Sequence, residues 1–246
     1  PPTTWPDRGH ISFCDVSMRY SPNNPLILKN ISFEIQHGEK IGILGRTGAG
    51  KTSLTSALFR LFDFDGSILI DNVDTKSIAL TTLRSKLAII PQEPVLFLGR
   101  LRKNLDPFDQ FTDLQLWQAL EEVQLKEFVT SKPLGLDSKV SEGGLNFSVG
   151  QKQLLCLART LLRDAKIIVL DEATASVDVN TEEIIQNIIR RRFQNCTVLT
   201  IAHRLNTVRD SDKILVIENG RVAEFGSPED LMKNSAGFFY RYVHRN

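Results

Sequence analysis

The sequence predicts an α/β fold, with an antiparallel β-region at its start and a helical insertion within a parallel core. Three observations carry that expectation. Short apolar runs of strand length recur at 40–44, 67–70, 87–90, 167–170, 197–201 and 213–217, several with helical patterns between them. Apolar and polar residues alternate ahead of the first run. Residues 101–163 contain no convincing strand, and Trp117, Leu120, Val123 and Leu125 fall at helical spacing there.

Residues 1–9 are rich in proline and read as a linker tail. Ile11, Phe13, Val16, Met18 and Tyr20 then follow a period close to two, the mark of a half-buried strand. Residues 21–25 form a turn, 27–35 a second strand and 36–39 another turn, which together read as an antiparallel region. The apolar strand 40–44 leads into a Gly-rich stretch and then into a helix marked by Leu54, Leu58 and Leu61. The resulting division places 10–91 and 165–246 in a core with its β-subdomain, and 92–164 in a helical subdomain.

Composition narrows the function. The chain has 246 residues, a formal net charge of +1, 41% hydrophobic and 24% charged residues, which excludes a disordered chain. So small a net charge argues against a bulk electrostatic grip on nucleic acid or anionic lipid. Cys14, Cys156 and Cys196 lie far apart, so they offer no zinc cluster and suit a reduced setting. No apolar run reaches the roughly 18 residues a bilayer requires. The N-terminus is not a signal peptide, and its linker character suggests a piece of a longer protein.

Gly45-Arg46-Thr47-Gly48-Ala49-Gly50-Lys51-Thr52 fits GxxxxGK[ST], between an expected strand and an expected helix. Glycines let the backbone wrap phosphates with N–H groups inward, and the helix N-terminus adds partial positive charge. Lys51 is expected at the β- and γ-phosphates, the Thr52 hydroxyl on Mg²⁺, and Ser53 near the α-phosphate. The run 167–170 ends in Asp171-Glu172. Alone this is as well explained by a strand end with solvated acids, but the upstream phosphate loop gives it a partner. Asp171 then holds Mg²⁺ and Glu172 activates water. Ser148 and Gly150 open a further helix, either an N-capped core helix or an anion-binding terminus.

The motif set resembles that of the ATP-binding cassette (ABC) ATPases. Phe147–Gln151 resembles their signature, Pro91-Gln92-Glu93 their Q-loop, Ala175-Ser176-Val177-Asp178 their D-loop and Ile201-Ala202-His203-Arg204 their H-loop. Tyr20 resembles their aromatic adenine platform. "GRTGAGKTSL", "NFSVGQKQLLCLAR", "DEATASVD" and "TIAHRLNTV" are most similar to the second nucleotide-binding domain of C-subfamily transporters, the multidrug resistance-associated proteins in particular. Val149 departs from the glycine of most signatures, as is common in that second domain.

The resemblance implies a P-loop ABC-type domain over residues 10–246 that hydrolyses MgATP. Glu172 is its base, with His203 and Gln92 assisting, and Gln92 also near Mg²⁺. It implies a head-to-tail dimer with the first nucleotide-binding domain of the same transporter. Ser148, Gly150, Gln151 and Asp178 contact ATP at that interface. Residues 93–101, with Phe97, receive a coupling helix of the transmembrane domains. The implied setting is the cytoplasmic face of a membrane, the plasma membrane, powering export of organic or drug-like compounds, with no nucleic-acid partner. A nucleotide-sensing regulatory domain is the alternative, and a soluble ABC ATPase acting on nucleic acid or ribosomes a more distant one. Arg190-Arg191-Arg192 reads as a solvated helix end, and Phe238-Phe239-Tyr240 as packing.

Overall fold

The structure is a computed structural model that describes residues 1–246 except Thr47, Ala49, Thr174, Ala175 and Asn246. The chain forms two compact units, 1–88 with 166–172 and 195–246, and 89–165 with 173–194. The division expected from sequence put 173–194 in the core. The helix Val179–Arg192 belongs instead to the second unit, where Thr181, Ile185 and Ile188 are buried and it packs on the helix Val149–Leu162.

Among the described residues the first unit holds two larger sheets. One has the order Arg221–Gly226, Lys213–Glu218, Lys40–Leu44, Thr197–Ile201, Ile167–Asp171, Leu87–Ile90. Its central strands pair in parallel, with Ile43 opposite Ile201 and Ile201 opposite Asp171. They are buried along almost their whole length, hence apolar runs rather than alternation. The edge strand Arg221–Gly226 is antiparallel and only partly buried, and its weak apolar pattern left it unread in the sequence.

The other sheet is antiparallel, in the order Leu28–Ile35, Ile11–Met18, Phe64–Ile70, Val73–Asp74. Residues 67–70 were expected among the strands of the parallel core. They lie here because Ile68 and Ile70 face Phe13 and Ile11 on one buried side. Gly66, at φ +87, lets this strand pass a bulge in its neighbour, since a Cβ there would lie 2.3 Å from the Asp15 carbonyl oxygen.

Residues 1–9 are not a free tail. Trp5 is buried, and its indole N–H donates to the Ile70 carbonyl at 2.8 Å. The Asp71 carboxylate accepts the backbone N–H groups of Asp7, Arg8, Gly9 and His10. Gly9 then meets the Thr197 hydroxyl through its carbonyl, at 2.7 Å.

The helix after the Gly-rich loop runs Lys51–Leu58. Arg60 takes φ +52 just beyond it, which stops the helix and leaves Leu61 outside it and exposed, not on its buried stripe. In the second unit the helix Asp113–Glu122 buries Leu116, Ala119 and Leu120, with Val123 and Leu125 buried just after it. A two-residue ladder pairs Gly99–Arg100 with Lys139–Val140, too short to show as a strand pattern. Arg190, Arg191 and Arg192 fill the exposed last turn of Val179–Arg192, and Arg192 pairs with Glu122 at 2.5 Å. Phe239 is core, as expected. Among the described residues no helix is long and apolar enough to cross a membrane.

Candidate active site

Three neighbouring parallel strands of the first unit end at one edge of the sheet, where open α/β sheets gather ligands. Lys40–Leu44 delivers the Gly-rich loop, Ile167–Asp171 delivers Asp171 and Glu172, and Thr197–Ile201 delivers His203. The ends are cross-tied: the Glu172 N–H donates to the Ile201 carbonyl at 2.9 Å and the Ala202 N–H to the Ile43 carbonyl at 3.3 Å.

In the loop, Gly48 and Gly50 take φ +80 and +111, which L side chains rarely adopt. A Cβ on Gly50 would also press to 3.1 Å on Leu28. Thr47 and Ala49 lie outside the described residues. Gly45 is half-buried and Arg46 exposed. The helix Lys51–Leu58 has no side-chain cap and no acidic residue in its first turn, so its leading N–H groups are left for an anion. Helix Val149–Leu162 differs, because Ser148 and Gln151 close a capping box over its start.

Lys51 is buried, and its ammonium lies 3.1 Å from Nδ1 of His203, whose Nε2 pairs with a carboxylate oxygen of Glu172. Burial holds the Lys51 ammonium below its ordinary value, against the pull of Glu172 and Asp171. Burial, and then the charge of Glu172, push the Asp171 carboxyl up, against Lys51 and His203. Two half-buried carboxyl groups thus stand beside the Lys51 ammonium, the arrangement of titratable groups that marks a functional site. Glu172 takes φ +51, a strained conformation for a non-glycine residue that turns the chain sharply at the strand end. The Tyr242 hydroxyl, on the helix Phe238–Arg245, donates to the His203 carbonyl and braces that loop.

Thr52 is exposed and follows Lys51, while Ser53 is buried. The Ser53 hydroxyl meets the Tyr20 hydroxyl at 2.5 Å, so its partner here is the aromatic residue. Among the described residues no group of three or more His, Cys, Asp or Glu is arranged to hold a metal. The hard oxygens of Thr52 and Asp171 suit Mg²⁺, which takes one or two protein oxygens and fills its shell with phosphate and water.

The remaining expected residues lie in the second unit. Gln92 follows the strand Leu87–Ile90, and its carbonyl, with that of Pro91, accepts from the Gln153 amide. Gln153 is 1% exposed and was not singled out in the sequence, where it reads as one more polar residue in a helix. Gly150 packs beside the start of Val179–Arg192: a Cβ would lie 3.1 Å from the Thr181 hydroxyl. The Asp178 carboxylate caps that helix, accepting from Thr181. The Thr181 bonds hold it below its ordinary value. Its expected ATP contact therefore falls on a carboxylate already engaged.

A Gly-rich phosphate loop, a buried lysine, an Asp-Glu pair and a histidine at one edge of a parallel sheet define a P-loop nucleoside-triphosphatase. Residues 28–175 match the family described as ABC transporter. The chain belongs to that family and is one of its ATP-hydrolysing domains. It is 57% identical to the Drosophila melanogaster "Probable multidrug resistance-associated protein lethal(2)03659" over all of this chain and 18% of that protein. It is 55% identical to the Homo sapiens "ATP-binding cassette sub-family C member 4", again over all of this chain and 18% of the relative. The chain thus spans less than a fifth of these relatives. A solved structure, "Structure of a bacterial Atm1-family ABC exporter with ATP bound", superposes at a TM-score of 0.90 with 36% identity, covering 97% of this chain and 42% of that one.

Proposed function

We propose that the chain is the second nucleotide-binding domain of a multidrug resistance-associated type exporter, and that it hydrolyses MgATP at the strand-end site of its first unit. The observation that carries this reading is the contact series Lys51–His203–Glu172 beside Asp171. Gly45, Arg46, Thr47, Gly48, Ala49 and Gly50 wrap the phosphates, and Lys51 neutralises them. Thr52 and Asp171 hold Mg²⁺, with Gln92 completing the approach. The ion, when bound, offsets charge on the β- and γ-phosphate oxygens. Tyr20 stacks on the adenine.

Glu172 accepts the proton of the attacking water while the bond between the γ-phosphorus and the bridging oxygen breaks, leaving ADP and phosphate. The ring N–H of His203 holds the carboxylate in place. The phosphate oxygens compete with His203 for the Lys51 ammonium, so nucleotide entry loosens the resting contact.

Ser148, Gly150, Gln151 and Asp178 face the ATP of the first nucleotide-binding domain in a head-to-tail pair. Leu145 is 83% exposed and Val149 43% exposed at this helix start, apolar surface that a partner would cover. Phe97 and Leu98, both more than 60% exposed, receive a transmembrane coupling helix. The setting is the cytoplasmic face of the plasma membrane, and the cargo is organic, in keeping with what the multidrug resistance-associated relatives are named for.

Single-turnover hydrolysis tests the reading, with the chain alone and mixed with a first nucleotide-binding domain. Turnover that rises with the partner and collapses in Glu172→Gln supports it. Tight ATP binding without turnover in any mixture overturns it in favour of a nucleotide sensor.

A further inference from the structure

Tyr20 is fixed from two directions. Its hydroxyl meets Ser53, two residues after Lys51 on the same helix, at 2.5 Å. Its ring meets the ring of Phe62 edge to face, with centroids 4.8 Å apart and planes at 77°. The segment carrying Phe62 is itself pinned. The Arg60 guanidinium donates to the Thr75 and Ile78 carbonyls, and Arg84 donates to the Phe59 and Arg60 carbonyls. A cavity of about 640 Å³ opens beside the two rings, with Arg19 and Leu26 also in its wall. Phe62 is 39% exposed, so its ring is open to solvent on one side while its edge contact holds Tyr20.

We propose that Phe62 is a positioning residue for nucleotide base recognition. Its edge contact, with the Ser53 hydrogen bond, sets the plane of Tyr20 relative to the helix that carries Lys51. The base platform and the phosphate helix are thereby one rigid element, and a nucleotide meets both in a fixed relation. This rests on the reading that Tyr20 stacks on adenine. The ring contact of Phe62 is with Tyr20, so its effect should appear only for ligands that carry a base.

The test is calorimetric binding of ATP and of inorganic tripolyphosphate, each with Mg²⁺, to the 246-residue chain and its variants. Phe62→Ala should weaken ATP binding about two- to tenfold, the range of an aromatic pair, and leave tripolyphosphate unchanged. Phe62→Tyr, which keeps the ring, should restore ATP affinity. Phe62→Ala added to Tyr20→Ala should cost nothing further, because the platform it orients is gone. Equal weakening of both ligands by Phe62→Ala, or no weakening of either, overturns the proposal, as does an additive loss in the double variant. If Tyr20→Ala leaves ATP binding intact, the stacking reading fails first. A normal far-ultraviolet dichroism spectrum for Phe62→Ala, with Phe62→Tyr alongside, separates these outcomes from misfolding.

Discussion

The 3.1 Å contact between Lys51 Nζ and His203 Nδ1 fixes which imidazole nitrogen carries the proton. An ammonium group has only donors, so Nδ1 accepts and the ring proton sits on Nε2, facing the Glu172 carboxylate. Lys51, His203 and Glu172 thus form one directional series of hydrogen bonds, and the Glu172 carboxylate is held in one orientation by the ring.

Removing the middle member should separate binding from chemistry. His203→Ala should keep ATP affinity within about threefold of wild type and slow hydrolysis roughly 10²-fold. Nitrogen-15 shifts of the His203 ring, in nucleotide-free protein at neutral pH, should show the Nε2–H tautomer. An Nδ1–H tautomer there would contradict the contact series.

Asp171 should trade stability for function. Its carboxyl is pushed up from the ordinary 3.8 by burial and by Glu172, so at neutral pH its charge costs the nucleotide-free fold stability. Asp171→Asn should therefore melt higher than wild type at pH 7 while losing Mg²⁺-dependent ATP binding. The sign reverses nothing on acidification: as pH falls through the raised value toward 3.8, wild type gains its proton and the gap closes. Melting temperature measured across pH 3.5–7 checks this, and a gap that widens toward acid would refute it.

Asp71 should behave in the opposite sense. Burial alone would raise its carboxyl, and the N–H donors of Arg8, His10, Gly9 and Asp7 overcome that and hold it below the ordinary 3.8. The stability it contributes is present above that value and lost as pH falls through its lower folded value. Asp71→Ala should cost about 1–3 kcal/mol at pH 7 and speed amide exchange at residues 7–10. Denaturant melts and hydrogen exchange read both effects.

Gln153 should matter more than its place in the sequence suggests. It is buried, with its amide on the Pro91 and Gln92 carbonyls and its own oxygen without a hydrogen-bond partner among the described residues. Gln153→Met keeps the volume but strips the Pro91 and Gln92 carbonyls of their donor. Destabilisation of about 1–3 kcal/mol is expected in urea unfolding. Protease cleavage near Gln92 should rise with it.

Most of the site was legible because its chemistry is local in sequence. Gly45 to Thr52 needs glycines at positive φ and a helix start, and both are written contiguously. Asp171 and His203 were legible because buried parallel strands announce themselves as short apolar runs, and the first or second residue after each run falls at the ligand edge. Phe62, Gln153 and Tyr242 were not legible as site residues. Each acts through a partner at least 39 residues away or across a helix pair, and each alone looks like ordinary packing or solvation. Residues 67–70 were assigned to the wrong sheet for a related reason, since a short apolar run does not say whether its neighbour runs parallel. Residues 1–9 read as a linker tail from their prolines, and nothing local in the sequence shows that Trp5 and Asp71 fasten them.

The fastening has a mechanical meaning. Gly9 is bonded to Thr197, the first residue of the strand that ends just before His203. A leash would let Pro1 wander without effect. This segment is closer to a bolt: tension applied at Pro1 is taken up at Trp5, Asp71 and Gly9, and passes at Thr197 into the strand that leads toward His203 rather than dissipating in slack chain.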